Sequence, residues 1–517
     1  MDTDRSLSPG ERRLRAVVLA LLVLVTLGKI TAATRLDLFG DEAFYWQCAQ
    51  RPELHSADHP FMTATLVRLG TVTLGDTTLG VRLLFLVIGV LFPLVIHRLA
   101  LPLVGETQAW LAAGLSLLVP ATGHLGLLAV PEVPLLFFAA LAFHGLERAT
   151  RTGKTLYWTL AAVAMALGLS SHYRYILVPA GAFLYLLSTP DRRSLWRRPG
   201  PWILLGGLAV GLIPALTHNL ANGFEAVEYY LAGRHGSEVE ALALYDHLVD
   251  QAAFVTPLLY LVLLGTLVDL VRRALRGDDR AQLMALLALP HLLVFLLASP
   301  FHDVPLLTIH WPAVGYVPLL VYLPAALTRL KSWSPTRLWR ALVGLIPASG
   351  AVLMLGGLAL LATERHTYPE ILWEFEGWSE LTGRVRSELS AVDKGPGRRS
   401  LIVADNYKLG AHLEFGLGSE ADILILDHPI NRLHGRATAF DPWQIGEVEL
   451  SNRVGQEALV IIQRDVEGVA DVLDWMAHVS SRFERLEPVD EIRLGRGRRK
   501  AFLLYLGVVT AREAASS

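Results

Sequence analysis

The chain has 517 residues, 53% of them hydrophobic and only 18% charged, with a mean hydropathy of +0.42. Soluble chains carry about 25% charged residues, so the composition argues against an ordinary soluble globular protein. A net charge of −2 offers no basic footprint for nucleic acid, and the single cysteine, Cys48, makes neither an intrachain disulfide nor a cysteine-based zinc cage.

A membrane-spanning helix needs roughly 20 apolar residues, within a range of about 17–25. Candidate stretches occur at Val17 to Ala33, Leu79 to Leu99, the shorter Ala109 to Val119, and Leu127 to Leu146. They continue at Trp202 to Leu216, Ala253 to Val271, Leu283 to Ala298, Leu306 to Leu327 and Leu338 to Leu361. The stretch Leu156 to Leu187 is too long for one span and is interrupted by Ser170-Ser171-His172-Tyr173-Arg174-Tyr175; read as two short spans it brings the total to eleven. Ala32-Ala33 resembles a signal-peptide cleavage site, but the multispan chain that follows favours a retained first helix.

Cytoplasmic loops are rich in Lys and Arg. With eleven spans and the N-terminus inside, the inside segments hold Arg12, Arg13, Arg15, Arg98, Arg148, Arg151, Lys154, Arg192, Arg193, Arg197, Arg198, Arg272, Arg273, Arg276, Arg280, Arg329, Lys331 and Arg337. The outside loops between spans are poor by comparison, with Arg35, Arg51, Arg68, Arg174 and Arg234. Merging the ambiguous stretch into one span would put later basic loops on the wrong side. The odd count places the C-terminus outside.

Two long outside loops follow from this reading, 35–78 and 218–251, within a membrane domain of residues 1–362. From 363 to 517 hydropathy falls. Strand-length apolar runs appear at Leu401–Val403, Ile423–Leu426, Leu459–Ile462 and Phe502–Tyr505, and Val466 to Val479 reads as a helix, which together predict a small α/β domain outside the membrane. There is no internal repeat, heptad or low-complexity tract.

The residues with chemical potential lie on the outside in this topology, which was fixed without reference to them. Gly40-Asp41-Glu42-Ala43-Phe44-Tyr45-Trp46 follows the first span and is succeeded by Asp58-His59-Pro60. A carboxylate within about 3 Å of a hydroxyl acts as a general base; the alternative is helix capping by Asp41 with Glu42 in the first turn. Glu132, in Pro131-Glu132-Val133-Pro134, starts the fourth span, where an ionisable residue is costly and points to function; the alternative is snorkelling to the interface, which Glu does less well than Lys or Arg. Arg174 and Arg234, the latter beside His235 after Tyr229-Tyr230, suit a phosphate because the guanidinium fork binds oxygens in pairs; the alternative is contact with lipid headgroups. His302 and His310 flank the start of the tenth span and are candidates for phosphate or metal; the alternative is a solvated interfacial histidine. No Walker motif or Gly-rich dinucleotide loop appears, so no nucleotide cofactor is expected.

DEAFYW followed by DHPFMTATLVRLG resembles the first outside loop of the C-type (GT-C) membrane glycosyltransferases, in the branch of the lipid A aminoarabinose transferases and protein O-mannosyltransferases. The resemblance continues through PEVPLLFFAALAF, the Arg174 hairpin, NGFEAVEYYLAGRH, HWPAVGYVPLL and NYKLGAHLEFGLG. It implies an eleven-span all-α bundle with a C-terminal α/β extracytoplasmic domain, in the cell inner membrane. It makes Asp41 the catalytic aspartate, with Glu42 and Glu132 as further catalytic candidates. Arg174, Arg234 and His310 would bind the donor phosphate, Tyr45, His59, Tyr173 and His302 would line the pocket, and Asp58 and His235 would be ligands of a divalent metal ion. Where relatives have a paired proline after the histidine, this chain has Pro60-Phe61; where many have Asp at the fourth span, it has Glu132. The implied reaction moves a monosaccharide from a polyprenyl-phosphate-linked donor to a lipid, glycan or protein acceptor, with inversion. The alternative is a transporter or flippase for a lipid-linked sugar, although transporters often show repeated halves and this sequence shows none.

Overall fold

The computed structural model describes residues 8–51, 60–224, 242–301, 309–363, 373–389, 399–464, 472–494 and 500–510. The chain divides into two compact units. The first comprises Met1–Ala33, Arg82–Leu220 and Arg234–Glu364, and the second comprises Thr34–Val81, Ala221–Gly233 and Arg365–Ser517.

The first unit is a bundle of apolar helices. Six helices among the described residues are long and apolar enough to cross a membrane: Pro9–Arg35, Thr78–Val104, Pro199–Ala221, Asp279–Phe301, Ala313–Ser332 and Arg337–Ala362. A bent pair, Ala243–Val255 and Pro257–Leu275, raises the number to seven if it is one span. The sequence reading of eleven spans counts shorter helices as well, Glu106–Leu118, Thr155–Leu169 and Leu177–Ser188 among them. The interruption expected at 170–175 is present: one helix ends at Leu169, a 3-10 turn covers Tyr173–Ile176, and the next helix starts at Leu177. The span expected from Ala253 begins instead at Pro257, because Thr256 adopts φ of +92° and the proline that follows starts a new helix.

Side-chain placement in this unit is that of a protein dissolved in lipid. Val17, Val23, Leu24 and Leu27 of the first helix are exposed, as are Leu342, Leu345, Val352 and Leu353 of the last, whereas Ala313–Ser332 is buried nearly all round. Small residues bring helices close: a Cβ on Gly145 would lie 2.8 Å from the Ala161 backbone nitrogen, and one on Gly207 would lie 2.4 Å from the Ala162 carbonyl oxygen.

The second unit is built on a five-stranded sheet. The strands are β1 (Ser400–Ala404), β2 (Ala421–Ile425), β3 (Glu457–Gln463), β4 (Phe483–Leu494) and β5 (Lys500–Val509), in the order β2-β1-β3-β5-β4. The pairs β1/β2 and β1/β3 are parallel, and β3/β5 and β4/β5 are antiparallel. Successive residues of β1 feed opposite faces. Ile402 and Ala404 pack with Trp378, Leu381, Leu409 and Leu413 on one side, while Leu401 and Val403 pack with Leu424, Val460 and Val479 on the other. Strands buried on both faces read as continuous apolar runs, which is why the parallel β1, β2 and β3 and the buried start of the antiparallel β5 were legible. The fifth strand, β4, was not. It is an edge strand whose FERLEPVDEIRL is mostly exposed and contains Pro488, and charge and proline on an edge discourage further pairing. The helix expected over 466–479 runs from Val472 to Ser480; 465–471 lie outside the described residues.

The same unit includes the segment that follows the first span. Helix Gly40–Gln50 packs against helix Tyr407–Leu417. Gln47 Nε2 and Arg51 donate to the two oxygens of Glu414 at 2.6 and 2.8 Å. Gly40 permits the approach, since a Cβ there would sit 2.9 Å from Cδ of Lys408.

Candidate active site

Two polar clusters stand out, one in each unit. In the second unit the cluster is centred on Asp41. The helix Gly40–Gln50 begins with Glu42 reaching back, its Oε2 accepting from the Phe39 backbone N–H at 2.9 Å. Glu42 is fully buried and serves as the helix's own cap. The capping alternative considered for Asp41 therefore falls to its neighbour. Asp41 Oδ1 instead accepts from the Tyr407 hydroxyl at 3.0 Å and from Arg436 at 3.1 Å, and its side chain is 31% exposed.

Arg436 is buried among rings. Its guanidinium carbon lies 4.4 Å from the centre of Phe44, 5.4 Å from Tyr45 and 5.6 Å from Tyr407. Tyr45, expected as a pocket residue, is thus a buried wall of this cluster. Tyr407 also bonds Nδ1 of His434 at 2.8 Å. Burial and the adjacent Asp41 carboxylate push the Tyr407 hydroxyl well above its usual range, so it stays a proton donor.

The sheet explains how these partners come together. Tyr407 starts the helix after β1, and His434 and Arg436 follow β2, so they come from beyond the carboxyl ends of adjacent parallel strands, where α/β sheets commonly place ligand-binding loops. Asp405, Asn406 and Asn431 are all buried there. Asn406 Oδ1 caps the helix through Leu409 N–H at 3.1 Å, and Asn431 Oδ1 accepts from Tyr407 N–H at 2.9 Å.

In the first unit the cluster is centred on Glu132, the first residue of helix Glu132–Thr152. Its Oε1 accepts from Arg174 at 2.5 Å and lies 2.9 Å from His310 Nε2. Arg174 Nε lies 3.1 Å from His172 Nε2, and its guanidinium carbon lies 5.1 Å from the centre of the Trp311 ring. The 3-10 turn holds Arg174 in place, because the His172 ring accepts from the Arg174 backbone N–H at 3.1 Å. Tyr173 opens that turn and is half-buried. The structure therefore unites Glu132, Arg174 and His310, which the sequence offered as separate candidates. Sequence reasoning passed over Lys29, which is buried in the first helix and donates to the Leu125 carbonyl at 2.6 Å. The available signal was an ionisable residue inside an apolar span.

Five expected site residues, Asp58, His59, Arg234, His235 and His302, lie outside the described residues. Among the described residues no group of three or more His, Cys, Asp or Glu side chains is arranged to hold a metal ion, and the two expected ligands, Asp58 and His235, are not among them.

Comparison with known proteins agrees with this architecture. A family model described as dolichyl-phosphate-mannose-protein mannosyltransferase matches residues 58–218. The lipid A galacturonosyltransferase RgtD of Rhizobium johnstonii is 27% identical over 288 residues, which are 54% of this chain and 59% of that protein. The chain thus spans about three-fifths of the length of the curated relative it matches. The crystal structure of ArnT from Cupriavidus metallidurans superposes with a TM-score of 0.62 in its apo state and 0.63 when bound to undecaprenyl phosphate. Both alignments have 14% identity and cover 95% of this chain and 98% of ArnT. The chain therefore shares the fold of the ArnT structures, and residues 58–218 are similar to the mannosyltransferase family.

Proposed function

We propose that this protein transfers a monosaccharide from a polyprenyl-phosphate donor to an acceptor at the outer face of the inner membrane. The observation that carries the reading is the Asp41 carboxylate, partly exposed and held by a hydroxyl and a guanidinium. Asp41 removes the proton from an acceptor hydroxyl. The oxygen attacks the anomeric carbon as the bond from that carbon to the phosphate oxygen breaks, and the polyprenyl phosphate departs with the bonding electron pair. Attack opposite the leaving group inverts the anomeric centre. General-base assistance of this kind typically contributes about 10²–10⁴ in rate. Arg174, with His310 beside it, is the described group suited to the donor phosphate. Arg234 would join it, and Asp58 and His235 would be the residues to hold a divalent cation that supplies further charge stabilisation.

Lipid A as acceptor and a uronic acid as sugar are the first pair to examine, from the likeness to the galacturonosyltransferase. The test is mass spectrometry of envelope lipids and glycoproteins from wild-type, deletion and Asp41→Asn strains at matched protein levels. One sugar adduct should vanish in both mutants. A profile changed by deletion but unaffected by Asp41→Asn would reject the catalytic assignment and favour a lipid-linked sugar transporter.

A further inference from the structure

We infer that the C-terminal domain completes the Asp41 centre: Arg436 and Tyr407 are positioning residues that hold the carboxylate in one orientation. The inference rests on Asp41 being the base and adds where its geometry comes from.

Asp41 and its two partners are far apart in sequence, yet both partners meet the same oxygen, Oδ1, at 3.0 and 3.1 Å. Burying a guanidinium costs several kcal/mol unless it is paired. Arg436 is only 3% exposed. Its charge is met by Asp41 and by the faces of Phe44, Tyr45 and Tyr407. For stability alone, well-packed apolar residues often serve as well as a buried ion pair. What Arg436 adds is direction: with Tyr407 it fixes one rotamer of Asp41. With both donors on Oδ1, their contribution is to orient the carboxylate toward the acceptor hydroxyl.

The two partners are themselves tied together. Asn431 is fully buried. Its side-chain oxygen accepts from the Tyr407 N–H at 2.9 Å and its backbone carbonyl accepts from the Arg436 N–H at 2.7 Å. Its amide nitrogen donates to the Leu426 carbonyl at 2.8 Å, anchoring it to the end of β2. One asparagine therefore sets the spacing of Tyr407 and Arg436. His434, on the other side of the Tyr407 hydroxyl, leaves that hydroxyl to donate to Asp41 when its Nδ1 carries the proton. Arg436 and Tyr407 keep their protons throughout; only Asp41 exchanges one with the acceptor.

The experiment uses the full chain in cells and in detergent. Initial accumulation of the adduct that disappears on gene deletion is followed for Asp41→Asn, Arg436→Gln, Arg436→Lys and Tyr407→Phe, and each purified variant is titrated with undecaprenyl phosphate by native mass spectrometry. Misplacing a catalytic group costs about 10²-fold, so Arg436→Gln should lose about that much product while its undecaprenyl phosphate affinity stays at the wild-type level. Arg436→Lys should recover much of the loss, and Tyr407→Phe should slow transfer at unchanged thermal stability. If Asp41→Asn abolishes transfer while Arg436→Gln and Tyr407→Phe match wild type, positioning is overturned and the base assignment stands. If Asp41→Asn transfers normally, the base assignment fails and takes the inference with it. Parallel loss of product and lipid affinity in Arg436→Gln would make Arg436 a donor-binding residue and also overturn positioning. Should Arg436→Gln fold poorly, Tyr407→Phe, which removes a single oxygen, decides.

Discussion

At the scale of single residues, the Glu132 cluster sets two charges against each other. Arg174 is suited to a phosphate, yet Glu132 Oε1 sits 2.5 Å from it and 2.9 Å from His310. A charge-assisted hydrogen bond is worth about 1.5–3 kcal/mol, so Arg174→Gln should weaken undecaprenyl phosphate binding roughly tenfold to a hundredfold. Glu132→Gln should strengthen it, because the guanidinium is no longer neutralised. Titration of the purified variants measures both, and an equal loss in Glu132→Gln would show that the carboxylate itself supports the lipid phosphate, as it would through a cation. A second prediction concerns Asp405. Burial pushes its carboxyl up to about 8, against the opposing hydrogen bonds from the Gln463 N–H and the Asn406 side chain. The folded domain therefore keeps a proton that the unfolded chain releases above about 4. Where the folded state binds more protons, stability falls as pH rises. Stability from this group is greatest below pH 4, declines between about 4 and 8, and changes no further above that. Hydrogen exchange of the β1 and β3 amides in the full chain, corrected for intrinsic rate, should show protection falling from pH 5 to pH 8, and Asp405→Asn should flatten that slope. Asp41, Glu132, Arg174 and His310 were each legible in the sequence because each breaks a local pattern, as a charge or polar group beside an apolar run. Arg436 and His434 were not, since nothing in RLHGRATAF separates them from any surface loop. Their proximity to Asp41 exists only after the sheet has folded.

At the scale of elements, the hairpin that carries Arg174 depends on a glycine. A Cβ on Gly168 would fall 2.0 Å from Cε2 of Tyr175, a fully buried ring whose hydroxyl donates to the Ala164 carbonyl at 3.2 Å. A packed ring next to the turn cannot yield that distance, so Gly168→Ala should displace the 3-10 turn and with it Arg174. Overpacking of this kind costs typically about 1–3 kcal/mol. The expected result is reduced thermal stability together with the weakened undecaprenyl phosphate binding of Arg174→Gln. Gly206→Ala, where nothing lies within 4 Å of the added carbon, should change neither. Elements of this kind were readable wherever hydropathy alone decides. The break at Ser170–Tyr175 announces itself as polar residues in an apolar run, and the buried strands announce themselves as unbroken apolar runs. Boundaries set by backbone conformation were not readable. Thr256 turns the chain by adopting a positive φ that its sequence gives no reason to expect, and the two helices it joins are bent by 106°.

At the scale of the whole molecule, the sequence reading assigns sides of the membrane from charge alone. Basic residues cluster in the loops that would be cytoplasmic, and the candidate active residues fall in the loops that would not. The structure adds a constraint on that reading: residues 34–81 and 365–517 belong to one compact unit. A single folded unit cannot be divided by a bilayer, so the loop bearing Asp41 and the C-terminal domain must share a side. That predicts an even number of spans between the loop and the C-terminal domain, whatever the exact helix count. Cysteine labelling tests it cleanly because Cys48 is the only native thiol. In a Cys48→Ala background, Ser451→Cys in the C-terminal unit and Thr336→Cys in the basic loop before the last long helix both present exposed positions. A membrane-impermeant maleimide added to intact spheroplasts should label Ser451→Cys in full and Thr336→Cys only after the membrane is permeabilised. The reverse pattern would move the Asp41 centre to the cytoplasmic face, where a nucleotide-activated sugar is available, and the polyprenyl-phosphate donor would lose its rationale. Labelling of both sites in intact spheroplasts would instead mean that the loop containing Thr336 lies outside, which removes at least one span between it and the C-terminal unit.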